Sequence, residues 1–325
     1  MRLLMLGGTG FLGRTAAEAA VRRGWEVTVF HRGRGRAPDG VAAVVVGDRQ
    51  GDLAELRGAA EWDAVLDTWS ASPSVVETSA RALKGRVGRY AYVSSRSVYT
   101  YPPAAGADES APLVAGGEAD YAASKRGGEL AAQEAFGDAA LLVRAGLILG
   151  PYEDIGRLPW WLNRTARGGR VLAPGPRDLP LQYVDARDLA RWTLDALEAG
   201  LGGPYDLVSP SGHATMGSLL DACVQETGGG AELVWAEPET VTAAGIEPWT
   251  DLPVWLPPGP DHDGMHRSDV GKALRSGLVC RDVTETVADT WAWLRSLPGP
   301  PPQRPDRPVL GLDPAVEQRV LAGLG

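Results

Sequence analysis

The chain has 325 residues, of which 44% are hydrophobic and 22% charged, and its formal net charge is -9. This length and composition are typical of a globular protein that buries a full core in one large or two modest domains. The acidic balance argues against a nucleic-acid partner, because affinity for a phosphate backbone depends on clustered Lys and Arg. The two cysteines, Cys223 and Cys280, lack metal-ligand spacing, which favours a reduced, cytoplasmic protein. The apolar start leaves no room for a signal peptide, and no apolar run approaches the roughly 20 residues that span a bilayer, so we expect no membrane association.

The N-terminal stretch predicts a strand, a turn and a helix. Residues 3–6 are apolar and predict a buried strand, and the following Gly7-Gly8-Thr9-Gly10-Phe11-Leu12-Gly13 places glycines at G-x-x-G-x-x-G spacing. Glycine permits the turn and lets a phosphate approach the backbone, and a helix N-terminus offers free N–H groups to that phosphate. A helix at 15–23 and a second strand at 26–30 supply the context in which this motif binds a dinucleotide. The cofactor contacts expected from the turn are Gly7, Thr9, Gly10, Phe11, Leu12 and Gly13.

The residues after the second strand bear on the choice of cofactor. NAD-selective folds carry an Asp or Glu near this point, which accepts hydrogen bonds from the ribose hydroxyls. This chain has His31-Arg32-Gly33-Arg34-Gly35-Arg36 instead, and a guanidinium suits a ribose 2′-phosphate. We therefore expect NADP(H), with Arg32 as the first contact and Arg34 as the second. NAD(H) is the alternative, and a solvated basic loop is the other interpretation of the arginines.

Further apolar runs predict a parallel sheet. Runs at 41–46, 64–66 and 90–93 predict three more buried strands, and helical stretches at 54–60 and 75–83 separate them. Strands that alternate with helices form right-handed crossovers and a parallel sheet, whose ligands gather at the carboxyl ends of the strands. The polar residues that follow these strands are Asp48, Asp67 and Ser95.

A second motif, Tyr121-Ala122-Ala123-Ser124-Lys125, opens a predicted helix that runs to about Phe136 and stops at Gly137. Residues four apart share a helix face, so Tyr121 and Lys125 can point into one cleft. The spacing is common by itself. It becomes informative because it follows a serine-ended fifth strand in a predicted dinucleotide-binding sheet.

Together these motifs resemble the extended short-chain dehydrogenases/reductases, the NAD-dependent epimerase/dehydratase family. The stretches that carry the resemblance are the glycine-rich turn and residues 93–99, 108–113, 121–125, 144–151 and 183–190. They cover residues 1 to about 200 in family order, and from Ser209 the similarity is looser. The resemblance implies an α/β fold, a Rossmann-type doubly wound parallel sheet with a smaller C-terminal α/β substrate domain.

The resemblance also implies domain boundaries. The dinucleotide-binding domain comprises 1–150 and about 182–208, and the substrate domain comprises about 151–181 and 209–297. The sixth strand and its exit are expected at 144–151, and the stretch from Tyr183 to Ala199 is expected to return to the sheet. Residues 298–325 form a Pro-rich tail, extended over the surface, and a terminal helix that begins at Asp313-Pro314. Whether this tail packs on its own chain or in a homodimer stays open.

The resemblance further implies a catalytic triad of Ser95, Tyr121 and Lys125. A tyrosine with a pKa of about 10 is a poor base at neutral pH, and a neighbouring ammonium lowers that pKa. Tyr121 acts as the acid or base, Ser95 donates a hydrogen bond to the substrate oxygen, and Lys125 also holds the nicotinamide ribose. In the family Asp48 lies by the adenine, and Asp67-Thr68-Trp69 borders the cofactor.

Departures from the family pattern reduce the number of reactions that the chain is expected to catalyse. Sugar 4,6-dehydratases carry an Asp-Glu pair directly after the catalytic hydroxyl residue, whereas this chain has Arg96-Ser97, which excludes dehydratase chemistry. Trp69 replaces a small residue and either shapes the nicotinamide pocket or packs in the core. His262 and His266 flank Gly264 without a third ligand, so we expect a polar loop and no metal site.

The candidate substrate contacts are mainly aromatic. Trp249 and Trp255 lie in a Pro-rich stretch that predicts either a lid over an apolar ligand or a patch packed on the domain surface. Arginines such as Arg157, Arg164 and Arg170 either hold a phosphorylated substrate or are solvated at the surface, and we expect the latter. The full set of candidate substrate residues is Trp69, Arg96, Trp161, Trp249 and Trp255.

The function expected from these features is an NADP(H)-dependent oxidoreductase that reduces a carbonyl, or oxidises an alcohol, on a small or medium metabolite. The tryptophan content favours a hydrophobic or ring-bearing substrate from specialised metabolism. A sugar-type epimerase with a retained cofactor is the alternative. A non-catalytic nucleotide-sensing or RNA-associated relative is the alternative of another class, and the presence of both Tyr121 and Lys125 argues against it.

Overall fold

The computed structural model describes residues 1–51, 53, 56 and 61–324. Strands are numbered in chain order: β1 (Arg2–Leu6), β2 (Glu26–His31), β3 (Ala43–Val46), β4 (Trp62–Asp67), β5 (Val87–Ser95), β6 (Ala140–Ala145), β7 (Leu147–Leu149), β8 (Gly169–Pro174), β9 (Pro180–Leu181), β10 (Tyr183–Asp185), β11 (Gly203–Leu207), β12 (Ala214–Thr215) and β13 (Ala231–Ala236). Helices follow the same rule: α1 (Phe11–Arg22), α2 (Pro73–Leu83), α3 (Tyr121–Phe136), α4 (Arg157–Ala166), α5 (Ala186–Glu198), α6 (Met216–Thr227), α7 (Pro238–Ala243), α8 (Pro260–His266), α9 (Gly271–Arg275), α10 (Val283–Ser296) and α11 (Pro314–Gly323).

Seven strands form the central sheet, in the order β3-β2-β1-β4-β5-β6-β11, and all neighbours are parallel. The middle strands are apolar along their length because helices cover both faces of the sheet. Helices α1 and α5 pack on one face, and α2 and α3 pack on the other. The predicted fold, a doubly wound Rossmann-type sheet, is confirmed. The strand order reverses between β1 and β4, and in such sheets the ligand crevice opens at this point, at the carboxyl ends of the strands.

One hydrophobic core lies on each face of the central sheet, and a third core lies outside the sheet. It joins α4, α6, α10 and α11 with the two-stranded parallel sheet of β8 and β13. Its largest fully buried side chains include Trp161 and Trp255. The C-terminal helix α11 is part of this core and begins at Asp313, whose carboxylate accepts hydrogen bonds from the backbone N–H groups of Ala315 and Val316. The predicted terminal helix and its cap are therefore confirmed.

Three predicted elements differ from the structure. The strand at 41–46 was expected to be buried, but β3 is the edge of the sheet, and Val44 and Val46 are 48% and 58% exposed. The sixth strand and its exit, expected at 144–151, start earlier, since β6 begins at Ala140, and β7 is separate from it. Residues 183–185 pair with β7 and do not rejoin the central sheet. The helix predicted at 54–60 falls almost entirely outside the described residues.

The loop predicted around His262 and His266 is also wrong. Both side chains are buried on α8, where His262 Nε2 lies 2.9 Å from the Pro180 carbonyl oxygen and His266 Nδ1 accepts from the Gln182 N–H at 3.0 Å. The imidazoles thus tie α8 to the segment around β9. Among the described helices, none combines the length and apolar character needed to cross a membrane.

Candidate active site

A cavity of about 620 Å³ opens at the carboxyl ends of β1, β4, β5 and β6. One wall is the glycine-rich turn after β1 together with Thr68 and Ser70 after β4. The end of β5, the first turn of α3, the start of α4, α8 and Trp249 also line it. Its size is within the range of small-molecule sites. The cavity therefore lies where a doubly wound sheet binds its ligands.

The glycine-rich turn is shaped to receive an anion. Gly7 has a φ of +104°, which L side chains rarely adopt, and a Cβ on Gly13 would overlap the carbonyl oxygen of Gly7. Helix α1 begins after Gly10 without a side-chain cap or an acidic residue in its first turn. Among the described residues no side chain caps the free N–H groups at this terminus, and Phe11, which follows Gly10, lines the cavity. This arrangement fits the diphosphate of a dinucleotide.

The three predicted catalytic side chains line the same cavity. Ser95 ends β5, and its Oγ lies 3.1 Å from both the N–H and the hydroxyl of Ser97. Tyr121 is the first residue of α3 and is 37% exposed. Asp120 caps this helix by accepting from the Ala123 N–H at 2.8 Å, which fixes the first turn. Lys125 follows one turn later and is 3% exposed.

Lys125 is held by neutral partners. Its Nζ donates to the carbonyl oxygens of Trp69 at 2.7 Å and Val93 at 2.6 Å, and lies 4.9 Å from the centre of the Tyr92 ring. Burial lowers the pKa of Lys125 to about 7, although the charge of Asp67 opposes this shift. An ammonium has three donors, so one N–H remains available for a ligand in the cavity.

The predicted NADP-selective arginines lie on the loop after β2. Arg32 and Arg34 are exposed, and among the described residues neither forms an ion pair, whereas Arg36 pairs with Asp39 at 2.6 Å. A Cβ on Gly35 would come within 3.0 Å of Thr9, so this loop folds against the glycine-rich turn. Asp48 is exposed after β3, and its carboxylate accepts from the Gln50 N–H. None of Thr9, Arg32, Arg34 and Asp48 lines the cavity itself.

Asp67 and Thr68 have different environments. Asp67 is fully buried, and its carboxylate binds the Arg49 guanidinium at 2.5 and 2.6 Å and the Tyr90 hydroxyl at 2.5 Å. Its side chain therefore does not reach the cavity, contrary to the predicted cofactor contact. Thr68 does line the cavity, and its hydroxyl donates to the Leu6 carbonyl oxygen at 3.0 Å.

Of the predicted tryptophan contacts, Trp249 alone lines the cavity. Trp161 and Trp255 are fully buried, and their indole N–H groups donate to the Pro253 and Gly175 carbonyl oxygens at 2.7 and 2.9 Å. Of the two alternatives expected for Trp255, a lid or packing, the structure excludes the lid, because the chain around Trp255 packs into the third core. Trp69 packs against the core under α3 and donates to the Ser72 carbonyl oxygen, so none of these three indoles reaches the cavity.

Arg96 lines the cavity but is also a structural link. Its guanidinium donates to the carbonyl oxygens of Gly264 and Met265 at 3.1 and 3.0 Å and lies 3.6 Å from the Asp206 carboxylate. It thereby joins the end of β5 to α8. The described residues contain no group of three or more His, Cys, Asp or Glu side chains placed to hold a metal ion.

Arginines that no sequence motif indicates also line the cavity. In the Pro-rich C-terminal segment, the Arg304 N–H donates to the Asp154 carbonyl oxygen at 2.9 Å, and the Arg307 guanidinium lies 4.9 Å from the centre of the Tyr121 ring. Arg157 also lines the cavity and was wrongly expected to be solvated. No residue pattern in a Pro-rich segment indicates contact with a tyrosine so distant in the chain.

Comparison with known proteins agrees with this architecture. A profile of the NAD dependent epimerase/dehydratase family matches residues 3–207. A 2-alkyl-3-oxoalkanoate reductase of Stenotrophomonas maltophilia is 32% identical over an alignment of 228 residues, which covers 62% of this chain and 67% of the reductase.

Solved structures share the fold at lower identity. A crystal structure of a putative epimerase from Burkholderia cenocepacia is 20% identical and superimposes with a TM-score of 0.69, covering 91% of this chain and 98% of the other. The Bordetella bronchiseptica enzyme WbmH in complex with NAD+ is 21% identical, with the same TM-score of 0.69 and the same coverage. The chain therefore belongs to the NAD dependent epimerase/dehydratase family of extended short-chain dehydrogenases/reductases.

Proposed function

We propose that the protein is an NADP(H)-dependent oxidoreductase that reduces a carbonyl group on a small or medium metabolite. The observation that carries this proposal is that Ser95, Tyr121 and Lys125 line the same cavity as the anion-binding glycine-rich turn. A bound nicotinamide cofactor supplies the hydride that adds to the carbonyl carbon. The protein supplies the proton that completes the alcohol.

Tyr121 is placed to provide this proton. Its phenol O–H gives the proton to the carbonyl oxygen, while the Ser95 hydroxyl donates a hydrogen bond to the same oxygen. The phenolate that remains is stabilised by the Lys125 ammonium one helical turn away and by the Arg307 guanidinium over the Tyr121 ring.

The arginine loop after β2 supports a preference for NADP(H). Arg32 and Arg34 are exposed cations on a loop that folds against the glycine-rich turn. Residues 31–36, which directly follow β2, include no carboxylate that would repel a ribose 2′-phosphate, and a guanidinium can bind a phosphate through two parallel hydrogen bonds. An epimerase that retains NAD is the alternative, and a free cationic loop at this position disfavours it.

The Stenotrophomonas maltophilia relative is named for reducing a 2-alkyl-3-oxoalkanoate. A 3-oxoalkanoate has a ketone two carbons from a carboxylate. We therefore propose ketone reduction as the reaction of this chain, and 2-alkyl-3-oxoalkanoates as the first compounds to test.

The proposal is tested by the variant Tyr121→Phe, which removes the proton donor and keeps the ring. NADPH consumption is measured with a panel of 2-alkyl-3-oxoalkanoates and neutral ketones. We expect kcat to fall by roughly 10²- to 10⁴-fold with NADPH affinity unchanged. Tyr152→Phe is the matched control, because Tyr152 lies outside the cavity, where its hydroxyl is 3.4 Å from Glu18. Full activity of Tyr121→Phe, or NAD that stays bound through purification, would contradict the proposal.

A further inference from the structure

Two arginines in the cavity have no counter-ion. Arg157 is the first residue of α4, and Arg307 lies in the C-terminal segment. The Nε atom of each is buried without a hydrogen-bond partner. Within the described part of the chain, neither guanidinium forms an ion pair. Both residues are half-buried, and a donor that is removed from water without an acceptor is costly.

Each of the two guanidiniums packs on an aromatic ring. The Arg157 guanidinium lies 5.5 Å from the centre of the Trp249 ring, and the Arg307 guanidinium lies 4.9 Å from the centre of the Tyr121 ring. Contact with an aromatic face stabilises the cation but gives its N–H donors no acceptor oxygen. These donors are therefore available to a ligand that enters between Tyr121 and Trp249.

The charges around Arg157 reinforce this conclusion. Burial lowers the pKa of Arg157, the charge of Glu153 opposes this shift, and the charge of Arg307 adds to it. The closest acidic residue, Glu153, uses its carboxylate to accept from the backbone N–H groups of Arg157 and Leu158 at 2.7 and 3.2 Å. Burial also raises the pKa of Glu153 to about 7. The nearby Arg304 is already paired with Asp306 at 2.6 Å.

We propose that Arg157 and Arg307 form a binding site for a carboxylate of the substrate. The C-terminal segment that carries Arg307 is then part of the active site. This inference rests on the proposed function, in which the reacting carbonyl lies at Tyr121. Because Arg307 contacts the Tyr121 ring, the carboxylate and the carbonyl are close together in the substrate. The substrate class is therefore an oxo acid whose ketone lies within a few bonds of its carboxylate. The paired N–H donors of the guanidinium groups hold that carboxylate.

The site is distinct from the expected position of the cofactor phosphates. These belong at the glycine-rich turn and the loop after β2, where free N–H groups and exposed arginines lie. Arg157 belongs to α4 and packs on Trp249, so the residues of the proposed carboxylate site differ from those expected to contact the cofactor phosphates. The two anion-binding regions can therefore be separated by experiment.

Binding is measured by calorimetry on the NADP⁺-saturated protein, with 3-hydroxybutanoate, 3-hydroxyoctanoate and their methyl esters as probes. Esterification removes the negative charge and changes little else. We expect at least one acid to bind about tenfold or more tightly than its ester. Arg157→Gln and Arg307→Gln should each abolish this preference and leave ester binding unchanged, which also reports that the cavity is intact.

The matched control is Arg177→Gln. The Arg177 guanidinium also lies 5.5 Å from an indole, that of Trp235, but it is exposed, pairs with Asp221 and lies outside the cavity. This variant should keep the preference for acids. NADPH affinity should be unchanged in all three variants.

Three results would overturn the inference. The first is that the wild-type protein binds acid and ester equally, and the second is that it binds neither. The third is a loss of NADPH affinity in Arg157→Gln or Arg307→Gln, which would assign these side chains to the cofactor site. The proposed reductase function is judged separately. Preferred binding of acids without any NADPH-dependent reduction would contradict that function and support the carboxylate site.

Discussion

Lys125 illustrates how burial adjusts a side chain for work at neutral pH. Its stem is enclosed by the sheet and α3, and two carbonyl oxygens hold its Nζ without neutralising it. Burial without a paired carboxylate destabilises the ammonium, so the pKa of Lys125 falls to about 7. The same environment places its remaining N–H and its charge beside Tyr121, where the proposed chemistry needs them.

This shift predicts a dependence of stability on pH in the ligand-free protein. The folded pKa of Lys125 is about 7 and the ordinary value is 10.5, so between these values the unfolded chain binds the extra proton. The stability that Lys125 contributes is therefore complete above pH 10.5 and is lost as pH falls to 7. We expect the free energy of unfolding to rise with pH in this window by about 1.4 kcal/mol per unit, relative to Lys125→Met.

Urea unfolding of both proteins at several pH values measures this difference. The comparison with Lys125→Met cancels titrations that the two proteins share. Parallel stability curves for the two proteins between pH 7 and 10 would show that Lys125 keeps an ordinary pKa.

At the scale of elements, α3 sets the site because it lies directly against β5. Gly128 faces the phenol of Tyr92 so closely that a Cβ on this glycine would overlap the ring. The absence of a side chain lets the helix approach the sheet, which places Tyr121 and Lys125 over the end of β5 beside Ser95. The position of the triad thus depends on a glycine that touches no ligand.

Gly128→Ala is therefore expected to push α3 away from β5. Overpacking of this kind costs about 1–3 kcal/mol of the free energy of unfolding, and the displaced helix should also lower kcat. Gly117→Ala is the control, because nothing lies within 4 Å of the Cβ that it would add. Unfolding midpoints in urea and NADPH-dependent activity measure both effects. Unchanged stability in Gly128→Ala would mean that the helix does not need this close approach.

The sequence predicted the elements whose patterns are local. Residues 3–6 and the glycine-rich turn, the helix from Tyr121 and the cap at Asp313 depend on neighbours in the chain, and the structure confirms them. The burial of β3 was not predictable from its apolar run, because an edge strand and a central strand have similar sequences. The site was harder to predict from the sequence than these elements. Trp255 lies in a Pro-rich stretch that suits a lid, but it packs in the third core. Arg307 contacts Tyr121 only because the C-terminal segment folds back to the cavity.

At the scale of the whole molecule, three parts of the chain meet at one cavity. The sheet contributes the turn and the ends of β4 and β5, the third core contributes Arg157 and Trp249, and the C-terminal segment returns across both. Helix α11 anchors this segment, since Glu317 pairs with the buried Arg164 at 2.8 Å and accepts from the Leu172 N–H at 3.1 Å. A C-terminal tail that appears peripheral in the sequence is thus fixed beside the proposed catalytic tyrosine.

The measurement that tests the account most directly is a titration of the nucleotide-free protein with NADPH and, separately, with NADH, followed by tryptophan fluorescence. We expect NADPH to bind about tenfold or more tightly than NADH. The double variant Arg32→Ala with Arg34→Ala should remove this difference in affinity. The control Arg36→Ala should keep the difference, because the Arg36 guanidinium pairs with Asp39. Equal or tighter binding of NADH by the wild-type protein would contradict the NADP(H) assignment and favour an epimerase that retains NAD. Binding of neither nucleotide would contradict the proposed redox function altogether.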